Sequence, residues 1–577
     1  MKMLEDGVPT TEEWLSEPGN LPINGKGPAQ NIFFSISSAY QLLQMLHETP
    51  LGLPLLSRAP PHPRASLLAP LRLTTVGVDP FLVACGTAHR WREKFRHQNS
   101  SLSSPNCVDA VWPNQPGVPH TPVFLHPLKY AGKGSAAKLE ELRKSLKDLG
   151  TSAMVVSALD EVAWLLNIRG GDIRFTPVTT AYVVVTLDEC TLFIDPTKLS
   201  EEVNSYLQEL SIKVAPYDSC VDFLTALGKK VAADRDAENL IKSKVLLDPQ
   251  QTSLAVQMAL SQEVILEKAS PLSLAKALKN DAELEGLRNS HIRDGVALTR
   301  LLAWLERAMA DGEKLDEIMV SDKLEEFKGE QEGYKGPSFE TISAYGSNAA
   351  IIHYKATKKS SRPLGYDSFY LLDCGGQYCD GTTDVTRTVH FGTPSDYQKR
   401  CYTLVLKGHI AIATAVFPEA TTGSKLDVLA RFPLWQDGLD YRHGTGHGVG
   451  AYLGVHEGPQ GIHYRIRPTE QGFRKGMTTS NEPGYYEDGK FGLRIESVCI
   501  CCEYKAKNSF GGKSSCQLQT ITMAPIQRNL IDASLLTSGE KEWLNKYQSE
   551  VKQTLLPLLT GVDPLACGYI ERETVPV

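Results

Sequence analysis

The chain has 577 residues, 42% hydrophobic and 22% charged, proportions that exclude disorder as the main state. No stretch approaches the roughly 20 apolar residues of a membrane span. With 60 basic against 67 acidic residues, a net charge of −7, nothing forms the basic stripe that nucleic acid requires. Twelve cysteines are too few for a disulfide scaffold and read as small buried hydrophobes.

In chain order, MKMLEDGVPTTEEWLSEPGN carries acid and no apolar core, so no secretory signal is expected, and the end, PLACGYIERETVPV, lacks a lipid-anchor tail. The location expected of the chain as written is the cytoplasm. The alternative is an extracellular or plasma-membrane-anchored longer form. Residues 19–74 are rich in Pro, Gly and Ser around IFFSISSAYQLLQMLH and read as an irregular insert. Asn99-Ser100-Ser101 is a sequon of a kind that arises often by chance.

From Thr75 the pattern turns regular. TVGVDPF predicts a short strand and turn, AAKLEELRKSLKDLG (136–150) an amphipathic helix ended by Gly150, and SAMVVSAL a strand. DEVAWLLNIRG predicts a helix running up to its glycine, with RGGD (169–172) as the turn after it. TAYVVVTL and CTLFID predict buried strands, so strands and helices alternate in an α/β domain over 75–270. AGKGSAAK (131–138) lacks the phosphate-loop spacing and reads as a helix approach. A second region opens near Pro271. Leu284, Leu287, Ile292, Val296, Leu301, Trp304 and Leu305 share helical spacing in a helix that ends before Gly312. Helices near 397–416 and 424–435 then alternate with strand-like runs, predicting an α+β domain with a mainly antiparallel sheet over 271–577.

Seven of the 14 histidines fall between His353 and His463. In SFYLLDCGGQYCDGTTDVTRTVHF two strand-like runs flank Gly375-Gly376 and Asp380-Gly381, which predicts a hairpin bringing Asp373 and Asp384 together. Carboxylates held that close repel, and a divalent cation removes the repulsion. The plainer reading is a polar hairpin with turn aspartates. YRHGTGHGVG (441–450) sets His443 and His447 four apart on a glycine-rich loop, one suited to a metal and the other to substrate. In NEPGYYEDGKFGLRIES, Pro483 pushes Glu482 towards extended backbone, and Glu496 lies on the strand-like run LRIESVCI. Asp373, Asp384, His447, Glu482 and Glu496 together offer four carboxylates and one imidazole. Such a set suits Mn²⁺ or Mg²⁺ through oxygen and Zn²⁺ through histidine, and is large enough to bridge two ions. CICC (499–502) matches no structural zinc spacing and reads as strand core.

The order Asp, Asp, His, Glu, Glu, with HGTGHGVG and EPGYY between, resembles the pita-bread metallopeptidases. IIHY, DGTTDVTRTVHFGTP, YRHGTGHGVG, VHEGP and NEPGYY resemble the eukaryotic Xaa-Pro aminopeptidases (aminopeptidase P). PSFETISAYGSNAAIIHY and QRNLIDASLL lean towards the membrane-bound form. The resemblance covers about residues 75–577; TEEWL, within 1–18, resembles a remnant of the family's N-terminal domain, which is otherwise largely missing.

The resemblance implies α/β plus α+β architecture, a creatinase-like middle domain (75–270) followed by a pita-bread catalytic domain with a C-terminal extension (271–577). It implies a dinuclear centre, Mn before Zn, held by Asp373, Asp384, His447, Glu482 and Glu496. His353 in IIHY, His443 and His456 in VHEGP match the family's substrate-binding and catalytic histidines, with Glu482 as the catalytic carboxylate. The implied reaction is hydrolysis of the N-terminal Xaa-Pro bond of small peptides by hydroxide activated at two metals, with a homodimer as the candidate assembly. A non-catalytic pita-bread binding module and an Xaa-Pro dipeptidase are the alternatives. Arg494, two residues before Glu496, is read either as a residue orienting a ligand or as a surface arginine. Cys374 stands where relatives have serine, with its side chain expected on the opposite strand face to Asp373.

Overall fold

The structure, a computed structural model, describes residues 75–96, 101–103, 112, 114, 116–238, 243–466, 470–509 and 511–577. The expected remnant at 1–18, the insert at 19–74 and Asn99 of the sequon lie outside the described residues. The chain divides into two compact units. One is built from residues up to Val118 with Gly150–Ser157 and Asp218–Ala269, the other from Pro119–Leu149, Ala158–Tyr217 and Ser270–Val577.

In the first unit, Thr75–Gly77 runs parallel to Ser101–Ser103. Ala153–Val156, Val245–Leu247 and Ile265–Glu267 lie parallel in that order. AMVV and VLL are buried along their whole length, as strands covered on both faces must be. Helices Cys85–Arg96, Cys220–Glu238 and Leu254–Met258 complete the unit.

The second unit begins with the expected α/β pattern. Helix Ser135–Leu149 buries Leu139, Leu142 and Leu146 on one face. Tyr182–Thr186 pairs antiparallel with Cys190–Phe193, which lies parallel to Ile212–Ala215 across helix Glu201–Glu209. The helix predicted to reach Gly170 is shorter, covering only Leu159–Leu165. Asn167 takes φ +49°, a left-handed turn that asparagine tolerates, and Ile168–Arg169 becomes a strand against Phe124–Leu125. RGGD is therefore no plain turn. Arg169 is buried, and Asp172 is buried against Lys198 at 2.7 Å.

The rest of the second unit is built on the helix Asp281–Ala310. Asn280 Oδ1 accepts from the amides of Ala282 and Glu283, and the Glu283 carboxylate accepts from the Asn280 amide, a capping box. Its apolar stripe buries Leu287, Val296, Leu301 and Leu305. Ile342–Tyr345, Tyr370–Cys374 and Val385–Val389 form an antiparallel sheet. The expected hairpin is present, closed by Gly376–Tyr378 against Gly381–Thr382. A second antiparallel sheet runs Val416–Pro418, Ser515–Thr520, Ser497–Tyr504, Thr478–Asn481. Helices Asp396–Thr414 and Gly423–Trp435 pack on each other, and helices Ser538–Leu559 and Pro564–Glu573 pack on the long helix. One core joins the first sheet to the long helix and to helices Asp396–Thr414, Ser538–Leu559 and Pro564–Glu573, taking in Leu301, Cys374, Val405, Leu493, Leu544 and Val551, while the second sheet buries Phe417, Cys499 and Leu518 in a core of its own. Each such leucine or valine contributes about 1.5–3 kcal/mol on burial. Cys374 points into the first of these cores, away from the Asp373 carboxylate, and Cys499 and Cys501 are core residues of their strand. No helix among the described residues is long and apolar enough to cross a membrane.

Candidate metal centre

The five expected ligands come from three places in the second unit. Asp373 is on strand Tyr370–Cys374, opposite Thr386, and Asp384 sits just before the returning strand Val385–Val389. His447 is not on an irregular loop: Gly446–Gly448 is a short strand paired with Glu457–Ile462. The flanking glycines are required, because a Cβ at Gly446 would meet the Ser480 carbonyl and one at Gly448 that of Glu457. Glu482 follows strand Thr478–Asn481, its amide bonded to Thr445 O at 2.8 Å. Glu496 lies in the break between strands Phe491–Arg494 and Ser497–Tyr504 rather than within one continuous strand.

These positions converge. One ligand atom each from Asp384, His447 and Glu496 lies within 4.8 Å of the others. His447 Nε2 is 3.3 Å from Asp384 Oδ2 and 3.6 Å from Glu482 Oε1. His447 Nδ1–H donates to Gly448 O at 2.9 Å, which fixes the tautomer and turns Nε2 towards the carboxylates. Asp373 Oδ2 accepts from Arg494 Nη2 at 2.5 Å, while Asp373 Oδ1 is buried without a hydrogen-bond partner.

Charge in the cluster is unbalanced. Burial first, and then the negative charges of Asp384, Asp373 and Glu482, push the Glu496 carboxyl well above the usual range. Burial lifts Asp384 to about 6 and Glu482 to about 7, with the other carboxylates adding to both. Burial opposes a charge on His447, yet its Asp384 bond and the Glu482 and Asp384 charges raise it to about 9. Ligation requires deprotonated carboxylates and a neutral imidazole, so a cation taken up here displaces these protons. Four crowded carboxylates, an oriented imidazole nitrogen and a buried carboxylate oxygen without a partner fit divalent ions bound through oxygen and nitrogen.

Arg494 is buried, which settles its reading against a surface role. Its Nη2 holds Asp373, its Nη1 donates to Tyr486 OH at 2.6 Å and its Nε to Thr386 Oγ1 at 3.0 Å. Thr386 Oγ1 donates onward to Glu496 Oε2 at 2.7 Å. Ser480 Oγ accepts from the His447 amide and donates to Glu482 Oε1. Strand parity offered a signal for Thr386, two residues after Asp384 and hence on the same face, but Tyr486 and Ser480 had none beyond their place in NEPGYY and its preceding strand.

The three expected histidines ring the cluster. His443 Nδ1–H donates to Gly444 O at 2.7 Å, so Nε2 accepts from Tyr486 OH at 2.9 Å. Burial and the nearby Arg494 charge lower it to about 3, keeping the ring neutral, and Nδ1 is 3.9 Å from Glu482 Oε2. His456 is exposed and packs edge-on against His447, ring centroids 4.2 Å apart. The His447 charge is the main cause that lowers His456 to about 4. His353 is exposed in a turn after the short helix Gly346–Ala350, close enough to depress both His443 and His456 electrostatically. Sequence reasoning passed over Glu457, the neighbour of His456. It is buried, with Oε2 on Lys276 Nζ at 2.6 Å and Oε1 on Lys279 Nζ.

Comparison with known proteins identifies the family. The sequence model of the Creatinase/Prolidase N-terminal domain matches residues 114–283, that of Metallopeptidase family M24 residues 285–503, and that of the C-terminal region of peptidase_M24 residues 514–577. A probable Xaa-Pro aminopeptidase P of Laccaria bicolor is 47% identical over 507 residues, spanning 87% of this chain and 77% of its own length. Aminopeptidase P1 of Arabidopsis thaliana is 41% identical over 538 residues, spanning 87% and 83%. Among solved structures, X-prolyl aminopeptidase from Caenorhabditis elegans, described as a cytosolic enzyme with a di-nuclear active site, matches with a TM-score of 0.84. It is 34% identical, over 90% of this chain and 84% of that one. The chain belongs to the aminopeptidase P family of M24 metallopeptidases, with a creatinase-like domain ahead of a pita-bread domain.

Proposed function

We propose that this metalloaminopeptidase removes the N-terminal residue of peptides whose second residue is proline, with Asp373, Asp384, His447, Glu482 and Glu496 holding two divalent ions. The observation that carries the assignment is the convergence of Asp384, His447 and Glu496 within 4.8 Å, beside Asp373 with its partnerless buried oxygen. Mn²⁺ is the ion we assign, because four of the five ligands are carboxylates. When bound, such ions polarise a carbonyl oxygen and bring the pKa of water near neutrality.

The protein's own groups do the rest. Arg494 and Thr386 hold Asp373 and Glu496 in place, and Ser480 holds Glu482 and the His447 backbone. Glu482 accepts a proton and passes it to the leaving proline nitrogen. His353 and His456 donate hydrogen bonds to the peptide oxygen as negative charge develops. His443 is the third substrate-side histidine; its ring is engaged by Gly444 and Tyr486, so contact with peptide exchanges one of those bonds.

We also propose domains at 75–270 and 271–577; the family models divide the chain in the same order but at 283 and 285, within the long helix. A cytoplasmic location is the one we propose, supported by the description of the C. elegans enzyme as cytosolic. The lean towards the membrane-bound form rests on the two sequence runs alone.

Incubation with Arg-Pro-Pro and Mn²⁺ tests the activity, and released arginine is expected. Bound metal without release would make the chain a binding module. Cleavage of Ala-Pro but not Ala-Pro-Pro would make it a dipeptidase.

A further inference from the structure

His447 and His456 are joined by a segment whose centre is a tight turn: the Gly450 amide donates to Gly454 O at 3.0 Å, and Tyr452 within it has φ +53°. A bulky side chain rarely adopts that region, and such strain persists only where surroundings over-determine it. Three side chains do so here. Arg169 Nε donates to Tyr452 O at 2.8 Å and Nη2 to Ala451 O at 3.4 Å. Gln377 Nε2 donates to Leu453 O at 2.7 Å, and the Leu453 amide donates to Thr382 Oγ1 at 3.2 Å.

Arg169 is 2% exposed, and every hydrogen bond of its guanidinium ends on a backbone carbonyl, the other two being Ala163 O and Ile168 O. Burial lowers it to about 10, so it remains charged at neutral pH. A buried cation bonded only to carbonyls is costly, and an apolar side chain of similar size would suit stability better. What the guanidinium supplies that no apolar group can is a rigid fork fixing two successive carbonyls. Those carbonyls lie four and five residues before His456, whose ring meets His447 edge-on at 4.2 Å.

We propose that Arg169 is a positioning residue for His456: with Gln377 on the next carbonyl, it holds the turn Ala451–Leu453 and so sets where the His456 ring stands relative to His447. The proposal rests on the functional reading of His456 given above. A positioning role places the effect of Arg169 wholly downstream of His456, whereas a structural role does not.

The test is a double-mutant cycle on kcat with Mn²⁺-loaded enzyme, using Arg169→Lys, His456→Ala and the pair, with metal content measured on each. Arg169→Lys keeps the charge and loses the fork. It should lower kcat by about 10- to 100-fold with metal content at the parental value, since misplacing a reacting group by about 1 Å has costs of this order. In the His456→Ala background the same change should alter kcat by less than about twofold, because coupled residues are not additive. Gln377→Leu repeats the cycle and decides the matter if Arg169→Lys does not fold. Equal loss in both backgrounds, or loss of metal in step with activity, would overturn the proposal. Parental kcat in His456→Ala alone would overturn the reading of His456, and the proposal with it, while leaving the metal ligands standing.

Discussion

Two buried charge clusters lie within the second unit, and they handle charge in opposite ways. Around Glu457, buried Lys276 and Lys279 face the buried Glu457 and the part-exposed Asp160, two cations against two anions, with Lys276 Nζ 2.6 Å from Glu457 and 3.1 Å from Asp160. Burial opposes ionisation of Asp160, but Lys276 wins and holds its carboxyl below the usual range. At the metal centre, the charged groups set against Asp373, Asp384, Glu482 and Glu496 among the described residues are Arg494 and His447, the nearby His443 being neutral, and burial drives Asp384, Glu482 and Glu496 upward. The first cluster closes its own charge balance and the second leaves an excess of anions around an oxygen with no partner. A protein that can balance buried carboxylates with lysines in one place and leaves them crowded in another has kept the second place for a cation brought from outside.

The largest expected effect breaks the unbalanced cluster. Asp384→Ala should take peptidase activity to background and reduce bound metal, read by elemental analysis of purified protein. Unchanged stoichiometry would remove Asp384 from the ligands. Next comes the balanced cluster. Lys279→Met removes one of the two lysines bonded to the buried Glu457 carboxylate, leaving Lys276 to face both anions, and should destabilise by about 1.5–3 kcal/mol in denaturant titration, with metal per folded chain unchanged. Loss of metal in that variant would mean the two clusters are one system.

Arg494→Lys sharpens the boundary between them. The lysine keeps the charge but cannot bond Asp373, Tyr486 and Thr386 together, so metal affinity should fall about 10- to 100-fold. A metal-binding isotherm identical to the parent's would show that Arg494 merely balances charge.

The smallest effect is one of pH. Asp384 and Glu482, raised by burial to about 6 and 7, hold more protons folded than unfolded. The stability this lends is complete below the unfolded values near 4 and is lost as pH rises through about 6 to 7. The melting temperature of metal-free protein should therefore fall by a few degrees across that window; His447, raised to about 9, loses its share only at higher pH. Metal-loaded protein should show no such fall. The same slope with and without metal would mean that the cation does not displace these protons.

Much of the site was legible in the sequence because its residues sit in short, chemically particular runs. DGTTD, HGTGHG and NEPGYY each carry a metal-type side chain beside glycine or proline that restricts the backbone, and alternation on a hairpin suffices to turn Asp373 and Cys374 to opposite faces. What was not legible depended on contacts between distant segments. Glu496 falls in a strand break that LRIESVCI, apolar on both sides, does not announce. Arg494 reads equally as a residue orienting a ligand or as a surface arginine until Asp373, 121 residues earlier, is brought to it. DEVAWLLNIRG has helical spacing to its end, yet Asn167 turns left-handed because Arg169 finds its partners 282 and 283 residues away. Local pattern sets the elements; only the tertiary arrangement decides which charged side chains are buried together.

The most direct test is titration of chelator-stripped enzyme with Mn²⁺, following Arg-Pro-Pro cleavage and bound metal together. Activity absent without metal and restored as two ions bind per chain is the result expected of five side chains built around a cation pair. Undiminished cleavage by the stripped protein, or full activity in an Asp384→Ala, Glu496→Ala double variant, would contradict it.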